Sequence, residues 1–578
     1  MPLRRVHLTL AGLAFAACAP ASGPAPASAL DDAARVTALA DEYVAAYVAA
    51  SPEAAEAWGF PLERHDGLSD NSLAAVRAWQ VREDAWAERL ARIDGAALRG
   101  RPEWVTWGML RERIQAARAA RVCRFELWPV NQMSGWQADF ATLARLQPVG
   151  TPALREQALA RWRRLPRYLE NEAASLREGM RLGYTTPRRN VELVLRQLDA
   201  LLSMPVEQSP FFSPAQRDSA NGFRGAWAAL LRDEVMPAVA RYRAFLASEY
   251  RPAARETMGV GALPDGRACY QASFRLYTTL DRAPEETYAI GQARVARNQA
   301  EVVQIARRAW GTVEMDSILA RARTGGFSSR DDMLAFSNDA LRRAREAVPR
   351  AFRTTPAAPV VIEPHPAFLE ATASDQYFPA AEDGSRPAQY RINLGKHTSA
   401  TRGQAEITAF HETYPGHHLQ IALAQEAQAH PVARLISSGS YLEGWARYAE
   451  ALAEEMGLYT SDQARVSRRL WPARGMVIDP GIHLFGWTRE QAVQYILASG
   501  RMGEHEARAL VDRVVAWPGQ LTAYDTGALE IFALRELAER ELGPRFDLRE
   551  FHDVLLRNGA ITLPMLRESV EAWIAERR

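Results

Sequence analysis

An excess of charge of either sign is missing from this chain: 70 basic and 69 acidic residues leave a net charge of +1. That balance offers no electrostatic footprint for nucleic acid or an anionic membrane surface, and it points to a neutral or mixed-charge small partner. Long apolar runs are missing too. After the N-terminus no stretch approaches the roughly 18 apolar residues that a spanning helix needs. There is no internal repeat, no G-x-G-x-x-G after a strand, no P-loop and no G-x-S-x-G, so nucleotide-binding and serine-hydrolase readings lack their usual anchors. Cysteine is scarce, with 3 in 578 residues.

The first cysteine belongs to a targeting segment. Arg4 and Arg5 precede the apolar stretch "VHLTLAGLAFAA", and Phe15, Ala16 and Ala17 lead into Cys18. The pattern resembles a bacterial lipobox, in which cleavage leaves a lipidated cysteine as the new first residue; Phe15 replaces the usual leucine, so plain signal-peptidase cleavage is the alternative. The expected division is a signal peptide over 1–17, lipidated Cys18 and a flexible tether over 18–30, and one helical domain over 31–578. The mature protein is then exported to the periplasmic side of the envelope and tethered to the outer membrane rather than the inner. Its membrane contact is through the lipid alone. Cys123 and Cys269 remain, and in an oxidising compartment one disulfide is open to them.

The fold class reads as mainly α, a large helical body. "DDAARVTALADEYVAAYVAA", "SLAAVRAWQVREDAWAERLARI", "REQALARWRRLPRYLENEAASLREGMRLG", "AWAALLRDEVMPAVARYRAFLASEY" and "APEETYAIGQARVARNQAEVVQIARRAW" repeat apolar residues at three and four, with Gly or Pro at their ends. Trp79 and Trp86, seven apart, belong to a core. Between about 355 and 395 the texture turns Pro-rich, and "PVVIE" and "QYRINL" read as short strands of a small β element. Helix resumes near 400, and the chemistry is expected on helices between there and 457.

That chemistry centres on "HETYPGHHLQ", residues 411–420. In the zinc signature H-E-x-x-H, two histidines one helical turn apart hold the ion and the glutamate activates its water. Here the second histidine is displaced to His417 or His418. Six residues is about 120° off the face of His411 at 100° per residue. Pro415 removes a helical hydrogen bond and Gly416 takes non-helical angles, so a bulge absorbing two residues returns His417 to the face of His411. Glu443, on "SYLEGWARYAEALAEEMG", supplies a third ligand from an antiparallel helix. Glu450, two turns on, can hydrogen-bond a ligand histidine.

These residues carry a resemblance. "HETYPGHHLQ", "EGWARYAEAL", "RGMVIDPGIHLFGWT" and "PGQLTAYDTGALEIFALREL", with "LPDGRACYQASFRLYTTLDRAPEETYAIG" and "DGSRPAQYRINLG", resemble the bacterial family known only as domain of unknown function eight-eight-five. The family is often exported and is similar to all-helical zinc peptidases with a His, His, Glu site, which implies a single-channel metallopeptidase-like fold. In the family the residue after P-G-H can be tyrosine, which favours His417 over His418 as the ligand. The chain departs from the family at Cys269, Tyr288 and Asp525, where tyrosine, histidine and often lysine are usual.

The resulting expectation is a zinc-dependent hydrolase of short peptides. His411, His417 and Glu443 bind one zinc ion, Glu412 is the general base, and Tyr524 or His483 steadies the oxyanion. Arg474 holds a substrate carboxylate, or joins Asp479 and His483 in a buried network tying helices together. His418 lines the pocket. "QYRINL" is an edge strand offering main-chain groups to a peptide, and Asn393 either faces substrate or caps the following turn. Two rivals stand beside this: hydrolysis of a non-peptide amide or ester, and a peptide-binding envelope lipoprotein with a structural metal.

Overall fold

The structure, a computed structural model, describes residues 27–218, 220–367, 370, 373–381, 384–427, 429–436 and 438–578. The leader and Cys18 lie outside the described residues. The first helix, Ala27–Ala50, begins four residues earlier than the expected end of the tether, so 27–30 are helical. Alanine, the best helix former, accounts for that extension. Among the described residues no helix is long and apolar enough to cross a membrane.

The fold is mainly α. Ser72 starts the Leu73–Leu90 helix by accepting from Ala75 N at 3.3 Å. On it Trp79 and Trp86 meet edge-to-face at 5.4 Å, and their indoles donate to Glu83 and Glu42. Both therefore pack inward, with polar ends satisfied. The run 155–183 is two helices, Pro152–Trp162 and Leu165–Leu182, because Pro166 cannot continue the first. From Asn221 to Ala253 helix is continuous, with π turns at Leu231–Val235 and Leu246–Tyr250.

Two large apolar cores organise the chain. One joins the N-terminal helices to the C-terminal half, with Tyr43, Trp86 and Leu110 in the same cluster as Phe410, Trp445 and Ile531. The other lies between Val130 and Ala254 and is aromatic, Trp162 meeting Phe140, Phe211 and Trp227 edge-on. A disulfide between Cys123 and Cys269, with Cα atoms 4.5 Å apart, brackets that second core.

The small β element has three strands, β1 (Val360–Pro364), β2 (Gln376–Phe378) and β3 (Ala388–Ile392), in the order β1-β3-β2. β1 runs parallel to β3 and β2 antiparallel to it, with Tyr377 opposite Tyr390. The edge-strand expectation for "QYRINL" is therefore corrected: β3 is central and its main chain is paired on both sides. Three-residue β2 is too short to leave a period in the sequence, and it covers the edge that the sequence left open.

Candidate metal centre

The His411 helix, Arg402–Glu412, opens with a capping box: Thr401 Oγ1 accepts from Gln404 N at 3.2 Å, and Gln404 Oε1 accepts from Thr401 N at 3.3 Å. It stops at Glu412, and a new helix begins at His417 and runs to Glu426. The expected bulge is thus a complete break of four residues, Thr413 to Gly416, with a cis bond between Tyr414 and Pro415. A Cβ on Gly416 would lie 2.0 Å from the His411 carbonyl oxygen, so only glycine lets the chain fold back this closely. Trp445 pins the break by donating its indole N–H to Pro415 O at 3.0 Å.

Folding back places the two imidazoles edge-to-face, ring centres 4.7 Å apart. The third helix, Gly439–Glu455, brings Glu443 between them. His411 Nε2 is 3.5 Å and His417 Nε2 3.6 Å from Glu443 Oε2, and one ligand atom from each residue lies within 4.8 Å of the others. These separations are long for hydrogen bonds, and Glu443 Oε2 is buried without a hydrogen-bond partner. They suit atoms sharing an ion: tetrahedral zinc with bonds of about 2.0–2.1 Å sets its ligand atoms about 3.4 Å apart. Two imidazole nitrogens and a carboxylate oxygen are a donor set that zinc accepts, so the residues fit the ion.

The surroundings hold these groups in place. Burial opposes charge on His411, but the Glu443 and Glu450 carboxylates outweigh it and push the imidazole up to about 10. Burial likewise opposes charge on Glu443, yet His411 and His417 hold it well below the usual carboxylate range. Glu450 Oε1 sits 2.9 Å from His411 Nδ1 and accepts from Arg447 Nη1 at 2.8 Å. Glu412 stands apart from this pairing. Its carboxylate makes no hydrogen bond or ion pair among the described residues. Burial chiefly raises its pKa, the direction that suits a base working near neutrality.

Of the two adjacent histidines, His417 alone joins the cluster. His418 turns toward the sheet, its Nδ1 3.2 Å from Tyr377 Oη and its ring edge-on to Tyr414; burial drives it down to about 4. Tyr524, on the helix Ala523–Leu542, accepts from Arg513 Nη2 at 3.2 Å and lies under the Arg447 guanidinium. Burial raises its phenol first, and the Glu443 carboxylate next.

Four residues take the framework role that stood beside a site role for each. His483 is fully committed: Val260 N donates to its Nδ1 at 3.2 Å and its Nε2 meets Val514 O at 3.0 Å, so it has no nitrogen for an oxyanion. Arg474 donates to Leu470 O and Tyr495 O, which occupies it away from any substrate carboxylate. Asp479 accepts from Tyr270 Oη, Gly519 N and Leu521 N, and burial pushes it up to about 7. The helix Gly475–His483 runs through Pro480, so Asp479 and His483 share one regular helical stretch. Asn393 caps the turn after β3, accepting from Gly395 N and donating to Glu370 O and Ala373 O.

Gly444, a small residue beside Glu443 that keeps the neighbourhood slim, meets a partner the sequence did not point to: Gly444 and Gly527 bring the Glu443 and Tyr524 helices together backbone to backbone, a Cβ on Gly527 falling 1.7 Å from Ser440 O. A cleft of about 840 Å³ is lined by Gln404 and Thr408, on the helix stripe that leads to Glu412, and by Asp375, Tyr390, Lys396 and Arg501. Asp375 and Arg501 come from loops without periodicity, and only their convergence in space marks them.

No curated protein matches this chain. The family described as "Bacterial protein of unknown function (DUF885)" matches residues 52–570. The chain is similar to the crystal structure of a candidate lipoprotein from Colwellia psychrerythraea, with a TM-score of 0.83 and 24% identity, covering 95% of this chain and 99% of that one. It is also similar to a candidate lipoprotein of unknown function from Shewanella oneidensis, with a TM-score of 0.78 and 18% identity, covering 92% and 99%. At these identities the two neighbours share its fold, while the family match spans nearly all of the described residues. The chain belongs to the bacterial DUF885 family.

Proposed function

We propose that this protein is an exported zinc-dependent hydrolase that cleaves short peptides. The observation that carries the reading is the convergence of His411, His417 and Glu443 within 4.8 Å, beside the unpaired carboxylate of Glu412. A purely structural ion has no use for a free carboxylate next to its first ligand. When bound, zinc supplies a Lewis acid for a carbonyl oxygen and acidifies a water. Glu412 takes the proton of the attacking water and returns it to the leaving amine. Arg513 donates to Tyr524 Oη, which leaves the phenol's own proton free for the carbonyl oxygen as it gains charge. Glu450 holds the proton on His411 Nδ1, so that Nε2 offers its lone pair inward.

Export is supported by the N-terminal segment ending at Cys18, by a disulfide suited to an oxidising compartment and by neighbours described as candidate lipoproteins. Zinc content and digestion of a mixed peptide library, for the wild type and Glu412→Gln, test the reading. The expected result is one zinc in both proteins and at least about 100-fold less turnover in the variant. Equal turnover would remove Glu412 as the base. Cleavage by neither protein, with zinc retained, would shift the reading to another amide or ester, or to a binding role.

A further inference from the structure

We propose that Arg501 anchors the free α-carboxylate of the substrate, so that the site selects short peptides with an unblocked C-terminus. This inference rests on the peptidase reading above and adds what that reading lacks, the group by which a substrate is recognised.

The cleft whose lining reaches Thr408, one turn before Glu412, supplies the setting. Gln404 and Thr408 lie one turn apart on the His411 helix, and Glu412 follows one turn after Thr408. At 1.5 Å per residue this wall runs about 12 Å from Gln404 to Glu412, the reach of about three or four extended residues. A volume of about 840 Å³ accommodates such a peptide.

Arg501 opens on this cleft with its charge unspent. Its Nη1 is buried without a hydrogen-bond partner, and the side chain makes no ion pair among the described residues. The acids nearby are otherwise engaged: Glu450, whose charge acts most on Arg501, is held by His411 Nδ1 and Arg447 Nη1, Glu506 Oε2 accepts from Gly503 N at 3.1 Å, and Glu504 pairs with Arg508 at 2.7 Å. The framework arginines differ. Arg468 and Arg469 share Glu454, and Arg447 has Glu450. Burial lowers the Arg501 guanidinium to about 10 against the opposing pull of the Glu450 carboxylate, a cost that an arriving carboxylate relieves through charge-assisted hydrogen bonds.

The other charges favour a single carboxylate over a dianion. Asp375 lines the same cleft, and Glu412 stands where the wall ends. A phosphate group would meet both carboxylates, whereas a zwitterionic peptide presents one negative end to Arg501 and a positive end to the acids. Lys396, the chain's single lysine, also lines the cleft, but Asp375 lies close enough to offset it.

The test compares tetra-alanine with tetra-alanine amide on the zinc-loaded protein. Wild type is expected to favour the free acid by about 100-fold in kcat/KM, mostly through KM. In Arg501→Gln the acid-to-amide ratio falls to within about threefold of unity, and Arg501→Lys keeps an intermediate ratio. Because each ratio is internal to one protein, partial misfolding of a variant does not change it. Equal use of both peptides by wild type overturns the proposal. So does an unchanged ratio in Arg501→Gln, or loss of the preference in Lys396→Ala instead. Calorimetry on Glu412→Gln separates this from the function: tighter binding of the acid than the amide, lost in Glu412→Gln/Arg501→Gln, supports the anchor even if wild type hydrolyses neither peptide. Equal binding of the two sinks it even if hydrolysis is found.

Discussion

His411 Nδ1 lies 2.9 Å from Glu450 Oε1, a carboxylate 2% exposed and two turns beyond Glu443 on the same helix. The contact fixes the ring's orientation and tautomer before any ion arrives. Glu450→Gln should therefore weaken zinc binding by about 10–100-fold, read by competition with a chelator. Unchanged affinity would reduce Glu450 to a packing role.

Tyr524→Phe should lower kcat about 100-fold with little change in KM, since the hydroxyl is needed only as the carbonyl oxygen gains charge. Steady-state kinetics on a short peptide decides it. A loss confined to KM would place the phenol in ground-state binding instead.

The crossing of the Glu443 and Tyr524 helices has no room for a methyl group at Gly527, where a Cβ would lie 1.7 Å from Ser440 O. Gly527→Ala should cost about 1–3 kcal/mol or more and lower the zinc content, because Glu443 adjoins Gly444 at the same contact. Gly225, in the helix Asn221–Leu230, has nothing within 4 Å of where an added methyl group would sit, so Gly225→Ala should stabilise by up to about 1 kcal/mol. Melting temperatures of the two variants should move in opposite directions.

Glu172 is buried in the aromatic lobe with Tyr242 Oη on its carboxylate, and burial pushes it up to about 7. A carboxyl raised above its unfolded value keeps, in the folded state, a proton that the unfolded chain releases. Its contribution therefore declines as pH rises from about 4.5 to about 7 and is flat above that, a loss of about 3 kcal/mol. Glu172→Gln retains an acceptor for Tyr242 and should lack this slope. Urea unfolding of both proteins at pH 5 and pH 8 checks it, and parallel curves would refute the assignment.

The convergence of His411, His417 and Glu443 was legible because these residues sit where chemistry and backbone rules coincide. Histidines straddling a Pro-Gly pair, and a glutamate on the next helix with a second one two turns on, follow from the two periodicities of an α-helix. The break itself was longer than a two-residue bulge, since Gly416 packs against the His411 carbonyl, a contact with no one-dimensional trace. For His483 and Arg474 a site role and a buried network stood side by side for the same reason: their partners are backbone groups of Val260, Val514, Leu470 and Tyr495, most of them distant in sequence. β2 escaped notice because three residues carry no alternation, and its absence made β3 look like an edge. Asp375 and Arg501 reach the cleft from loops, where identity alone does not tell a solvated charge from a working one.

The Cys123–Cys269 bond has one more consequence. It ties together the two ends of the segment that holds the whole second core, Val130 to Ala254. A protease that nicks a surface loop inside this segment would leave the two fragments covalently joined. The clipped protein would migrate as a single species until a reductant parted it, and the body that carries the His411 cluster would keep its neighbour through the cut.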